Sequence, residues 1–227
     1  MASIIVSQPA IEPVTLTEAK THLRVESTMT DDDLLIGSLI TSARVAAETI
    51  CRSAFISQQW KLVLDVFPSP NYNVASSAWY GISGGIQAPP ITMEKIKGTT
   101  GYEIFLPIWP LISVDSIKYI DSVTGVQTTL PSTEYFIDNI NVPPRIVPAF
   151  NKNWPSTQNQ INAIEVLYAV GYGTTAASVP EGIKSWMKIR VGSAYEYREE
   201  VTIVEKGKIE PLKFIDGLLD PYRMIKF

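Results

Sequence analysis

The sequence predicts an α+β protein: a helical core into which an antiparallel β domain is inserted. Apolar residues recur at i, i+3, i+4 near both ends of the chain, they alternate through the middle, and turn residues punctuate that middle at short intervals. Helices, a β block and helices again is the order expected when a β domain interrupts two helical segments that pack on each other. The corresponding boundaries are an N-terminal helical segment at 1–56, a sandwich or barrel-like β domain at 57–173 with a long loop at 68–101, a long helix at 174–208 packing on the N-terminal helices, and a C-terminal arm at 209–227.

The segment Ile4 to Pro13 is short, apolar and proline-bounded, and reads as an extended lead-in. Thr15-Leu16-Thr17-Glu18 is a capping box, so a helix should run to about Leu23 with Leu16, Ala19 and Leu23 inward. Asp31-Asp32-Asp33 opens a second helix reaching about Ile50, its carboxylates at the positive end of the helix dipole. Leu35, Ile36, Leu39, Ile40, Ala43, Ala46, Ala47 and Ile50 form its apolar side. The three aspartates read as helix-start acids and not as a metal site, because no Gly and distal Glu follow at calcium-loop spacing.

From Gln58 to Phe67 the period is two, with Trp60, Leu62, Leu64 and Val66 on one side. A Ser-, Gly-, Asn- and Pro-rich loop follows, long for a structureless connection, with Trp79 and Tyr80 at its middle as candidate contact residues. Further strands are expected at Glu103–Leu106, Val114–Asp121, Val126–Leu130, Tyr135–Asp138, Arg145–Pro148 and Ala163–Val170, with a turn at Ser122–Gly125. Gly171-Tyr172-Gly173 ends the β region and lacks the spacing of a nucleotide-binding glycine loop. Val179 to Glu200 carries a helical stripe of Ile183, Trp186, Met187, Val191, Ala194 and Tyr195. Two bulky aromatics on or near that stripe require substantial partners. The chain is organised around this helix.

The 227 residues can bury a sizeable core, and 45% apolar with 19% charged residues fits a globular chain. A net charge of −4 lacks the basic surplus of a dedicated nucleic-acid binder. The single cysteine, Cys51, excludes an internal disulfide and a Cys-rich metal site, and reads as core packing. No secretory leader and no apolar run of about 20 residues is seen, so no membrane partner is expected.

Chemistry is sparse. His22 has no neighbouring Cys or second His, no serine lies in a G-x-S-x-G turn, and Glu134, Asp138 and Glu165 read as solvated strand acids rather than a glycosidase pair. No catalytic residue, metal ligand or cofactor site is assigned, and no enzyme is expected.

PVTLTEAKTHLRV, DDDLLIGSLITSARVAAE and RSAFISQQWKLVLDVFP resemble the opening of the phage head–tail connector (adaptor) family of tailed phages and prophages. The resemblance continues through RIVPAFNKNWP, VLYAVGYG, VPEGIKSWMKIRVGSAYEYREE and LLDPYRMIKF, and so covers most of the chain in order. It departs at Pro68–Gly101, which is longer than the family pattern. The resemblance implies a structural protein of the virion neck, assembled in the host cytoplasm, that forms a closed dodecameric ring under the portal. Its partners would be the portal, a tail or stopper protein and further copies of itself, with DNA passing non-specifically through the channel. It also implies a portal-docking arm at the C-terminus, for which Leu218, Leu219, Tyr222, Arg223 and Phe227 supply apolar and aromatic anchors. The other reading is a tail- or baseplate-associated β module that binds a protein or glycan.

Overall fold

A computed structural model describes residues 2–69, 101–197 and 217–224. It is a mixture of helix and antiparallel sheet, and the described residues fall in two compact units: residues 2–8, 58–69 and 101–170 in one, residues 9–57, 171–197 and 217–224 in the other.

The sheet unit contains β1 (Ala2–Ser7), β2 (Gln58–Leu64), β3 (Ile104–Phe105), β4 (Leu111–Ile120), β5 (Gln127–Leu130), β6 (Tyr135–Asp138), β7 (Arg145–Pro148) and β8 (Ile164–Val170). They form a five-stranded sheet ordered β1-β2-β8-β4-β5 and a three-stranded sheet ordered β3-β7-β6, antiparallel throughout. Barrel-like closure, expected from the sequence, is corrected here. Among the described strands the outer members β1 and β5 do not pair, so the larger sheet stays open. Its core face is set by register: Leu62 lies opposite Val166, and Val166 opposite Ile117, all three fully buried. Lys61 and Glu165, of opposite parity, form a 3.3 Å ion pair on the other face. Phe67 stacks on Trp154 at 4.8 Å, and the Trp154 indole donates to the Tyr102 carbonyl at 2.7 Å.

The lead-in, read only as extended, is β1, paired with β2 from Ala2↔Val63 to Ser7↔Gln59. Every one of its residues is exposed, which is why it shows no alternation in sequence. The expected β6 and β7 coincide with the observed strands, while β4 starts earlier and β2 ends earlier than expected.

The helical unit holds α1 (Leu16–Leu23), α2 (Asp33–Cys51) and α3 (Glu181–Glu196), each packed on the other two. The capping box at α1 is complete: the Thr15 amide donates to Glu18 at 2.7 Å, and the Glu18 amide donates to the Thr15 hydroxyl at 3.2 Å. That amide contact, more than any charge, holds the Glu18 carboxyl below its ordinary range. Ile36, Ile40, Ala43 and Ala47 of α2 close on Ile183, Trp186, Met187 and Val191 of α3, with Ala19 of α1, Phe55 and Ile56 completing the core. Gly171 has a structural reason: at φ +136° a Cβ would stand 2.8 Å from the Ile56 backbone.

Candidate assembly surfaces

The C-terminal residues are built into the helical unit. Leu219 is fully buried in its core, and Leu218 and Tyr222 pack against the same cluster. The Met224 amide donates to the Cys51 carbonyl at 3.1 Å, and the Tyr222 amide to the Leu219 carbonyl at 2.9 Å. Arg223 pairs with Asp220 at 3.3 Å. Leu218, Leu219, Tyr222 and Arg223 therefore lie together at one place. Phe227, Trp79 and Tyr80 lie outside the described residues.

Charged side chains in this unit serve mainly to tie segments together. Arg44, nearly buried, bonds Glu12 and Glu48 at 2.8 Å each, and Glu48 also accepts the Phe55 amide at 2.9 Å. Burial works against the guanidinium charge, but the two carboxylates outweigh it and raise its pKa. Lys20 pairs with Asp33 and donates to the Met29 carbonyl at 2.7 Å, while the Tyr195 hydroxyl donates to Asp32 at 2.5 Å. Asp32 and Asp33 at the start of α2 are thus fixed by protein groups. Sequence reasoning missed Arg44 on an otherwise apolar side; Glu48, four residues on, was the available signal.

The acids expected on strands are likewise occupied: Glu134, which lies in the 3-10 turn Ser132–Glu134 before β6 and not on a strand, bonds Lys152 at 3.1 Å, and Asp138 of β6 bonds Arg145 at 2.9 Å. Among the described residues no three His, Cys, Asp or Glu side chains cluster as a metal site would require. His22 is exposed on α1, beside Lys188 of α3.

The helical unit also presents one side of α2 whose own exposed residues are uncharged, with Glu12 from the preceding segment accepting from the Thr41 hydroxyl at 2.9 Å. The outward side of α2 carries Leu34, Ser38, Thr41, Ser42, Val45 and Thr49, all exposed. In the sheet unit, Ile4 and Val6 of β1 are each 51% exposed, and Phe136 of β6 is 59% exposed.

Residues 13–80, which span α1, α2 and β2, match the family model described as Phage gp6-like head-tail connector protein. That stretch is similar to head–tail connector sequence. The family read from the sequence is the one this model describes. No curated protein matches the chain. Three solved structures share its fold along its whole length. A chain in the neck of an empty GTA particle, computed with C6 symmetry, has a TM-score of 0.71 at 17% identity, with 100% of this chain and 97% of that chain covered. A chain of the virion of a native gene transfer agent has a TM-score of 0.71 at 16% identity and the same coverage. A chain of the native GTA neck computed with C12 symmetry has a TM-score of 0.67 at 16% identity, again with the same coverage. At such identity the likeness is one of fold.

Proposed function

We propose that the protein is a structural head–tail connector of a phage-like particle, located in the virion neck, where copies form a closed ring between portal and tail. The observation that carries this reading is the match of the entire chain to neck chains, with neither side leaving a large domain uncovered. Connector sequence over α1, α2 and β2 supports it independently. A ring of identical subunits is a heterologous assembly that closes by rotation. The dodecameric count and the passage of DNA belong to the same proposal. A chain with net charge −4 suits DNA transit, since phosphate retention needs a surplus of Lys and Arg.

The segment Leu218–Phe227 is the proposed portal-docking arm. Its root is held by Leu219 in the core and by the Met224 bond to Cys51, so the arm starts from a fixed point. Leu219 stabilises the protein's own fold in this arrangement, and docking contacts would fall to the other arm residues.

The test is electron microscopy of the protein mixed with its portal, beside the protein alone. A symmetric ring capping the portal is expected. Dispersed particles that ignore the portal would overturn the connector reading in favour of the tail- or baseplate-associated β module.

A further inference from the structure

Among the described strands, β1 and β6 are outer members of the two sheets, and each leaves large apolar side chains in the open. On β1, Ile4 is 51% and Ile5 38% exposed; on β6, Phe136 is 59% and Ile137 43% exposed. Successive residues of a strand point to opposite faces, so each of these edges is uncovered on both faces at once. An element packed on one face would shelter only one residue of each pair. A strand laid alongside shelters both, because its own side chains stand beside theirs on either face.

These two edges also lack most of the usual guards. Outer strands that stay in solvent are kept from pairing by lysine, proline, brevity or bulges. β1 runs for six residues, ASIIVS, without a charge or a proline, and its register shifts only between Ile5 and Ser7, at the C-terminal end. The one charge of β6, Asp138, is held by Asn141 and Arg145. The remaining outer strands differ. β5 shows Gln127, Thr128 and Thr129 to solvent, polar side chains that water satisfies, and β3 is only two residues long.

We propose that β1 of one copy pairs edge to edge with β6 of the next, joining the five-stranded sheet of one to the three-stranded sheet of the other around the ring. The inference rests on the connector reading above. A head-to-tail ring needs two different complementary surfaces on each subunit. These are the two edges whose exposed side chains complement each other: Ile4 and Ile5 on β1 against Phe136 and Ile137 on β6, aromatic and β-branched residues of the kind that pair well across strands. All four residues of β6 find partners along the six of β1. A β1–β1 contact would leave β6 uncovered, and being isologous it would close a dimer and not a ring.

The test is cross-linking on portal-bound rings. Ser3→Cys or Ser7→Cys, both exposed on β1, is combined with Ile137→Cys and treated with a short bismaleimide; native Cys51 is buried and stays silent. A ladder of covalent multimers from at least one double variant, absent from every single variant, is the expected result. A ladder only when Thr128→Cys of β5 replaces Ile137→Cys, dimers from a β1 single variant, or β1 cross-linked to the portal in place of a ladder would each name a different occupant and overturn the proposal. So would intact rings with no ladder. A parallel measurement uses Phe136→Lys. Because Phe136 is largely exposed in a single copy, the variant should keep its circular dichroism and melting temperature. Ring yield should nevertheless fall at least about tenfold, since an ammonium group guards the edge against pairing. Unchanged ring yield would equally overturn the proposal. If the parent forms no ring on the portal, the connector reading itself fails, which distinguishes the two failures.

Discussion

Tyr222 lies against the first turn of α3 so closely that a Cβ on Gly182 would come within 3.1 Å of its Cε2 and hydroxyl oxygen. The absent side chain at Gly182 makes room for the root of the C-terminal arm. The approaching atoms are the far end of a partly exposed ring, which can yield by a few tenths of an ångström. Alanine also recovers part of the ~1 kcal/mol helix preference over glycine, reduced here because Gly182 sits in the first turn. Gly182→Ala should therefore lie within about 0.5 kcal/mol of the parent in urea unfolding, whereas the bulk of Gly182→Leu should cost about 1–2 kcal/mol by displacing Tyr222. A loss above about 1.5 kcal/mol for the alanine variant would show that Tyr222 cannot move.

Trp186 is 3% exposed, and its Nε1–H has no hydrogen-bond partner among the described residues. Trp186→Ala should cost about 3–5 kcal/mol in denaturant unfolding, as expected for a large core side chain. Trp186→Phe removes the unpaired donor together with the lost volume, so its cost should be well under half of that. A loss below about 1 kcal/mol for the alanine variant would place the indole outside the core.

Trp186 also marks how far the sequence reaches. Trp186 is legible because helical period alone puts it on a stripe with Ile183, Met187 and Val191, and all four are buried. The α1 capping box and the bounds of β6 and β7 are legible for the same reason, since local pattern decides them. What escapes is settled by distant segments. β1 pairs with a strand more than 50 residues away and is exposed on both faces, so nothing in its own composition announces it. The open edges of the larger sheet depend on strand order, which turn signals do not encode. Leu219 reads as an arm residue, yet it fills the core. Of the candidate assembly surfaces, the apolar C-terminus was visible in sequence. The outward side of α2 became visible only once its inward side was known.

Asp138 organises the β6–β7 turn. It accepts the Asn141 side-chain amide at 2.6 Å, the Ile140 and Asn141 backbone amides at 3.2 Å, and Arg145 at 2.9 Å. Led by the Asn141 side chain, these contacts lower its pKa to about 2. The folded value lies below the unfolded one near 3.8, so the contribution is present above about pH 4 and disappears as pH falls through about 2. Asp138→Asn should therefore be less stable than the parent at pH 6, with the gap narrowing between pH 4 and 2 in parallel urea titrations. A gap that stays constant across that window would mean that the charge is not what stabilises the turn. Comparing the two proteins matters because Glu18, Asp121 and Glu181 are also shifted down and contribute to the same acid limb.

Cys51 gives a direct probe of the arm root. Burial pushes its thiol up to about 11, partly countered by the nearby Arg223 charge. The thiolate is the reactive form, so at pH 8 ionisation alone should slow alkylation by roughly two orders of magnitude relative to a free thiol with pKa near 8.5. Burial slows it further, and labelling of the native protein should proceed only through opening of the helical unit. The last described residues cover this position: Met224 bonds the Cys51 carbonyl, and Leu219 fills the same core cluster. Leu219→Ala should cost about 2–5 kcal/mol and raise the native labelling rate at least about tenfold, measured by mass spectrometry with iodoacetamide at pH 8. Urea-unfolded parent and variant should label equally fast, which removes any intrinsic difference in reactivity. If Leu219→Ala labels at the parent rate in the folded state, the arm root does not guard Cys51. The helical core would then open elsewhere, and the arm would lose the fixed origin on which the proposed portal docking depends.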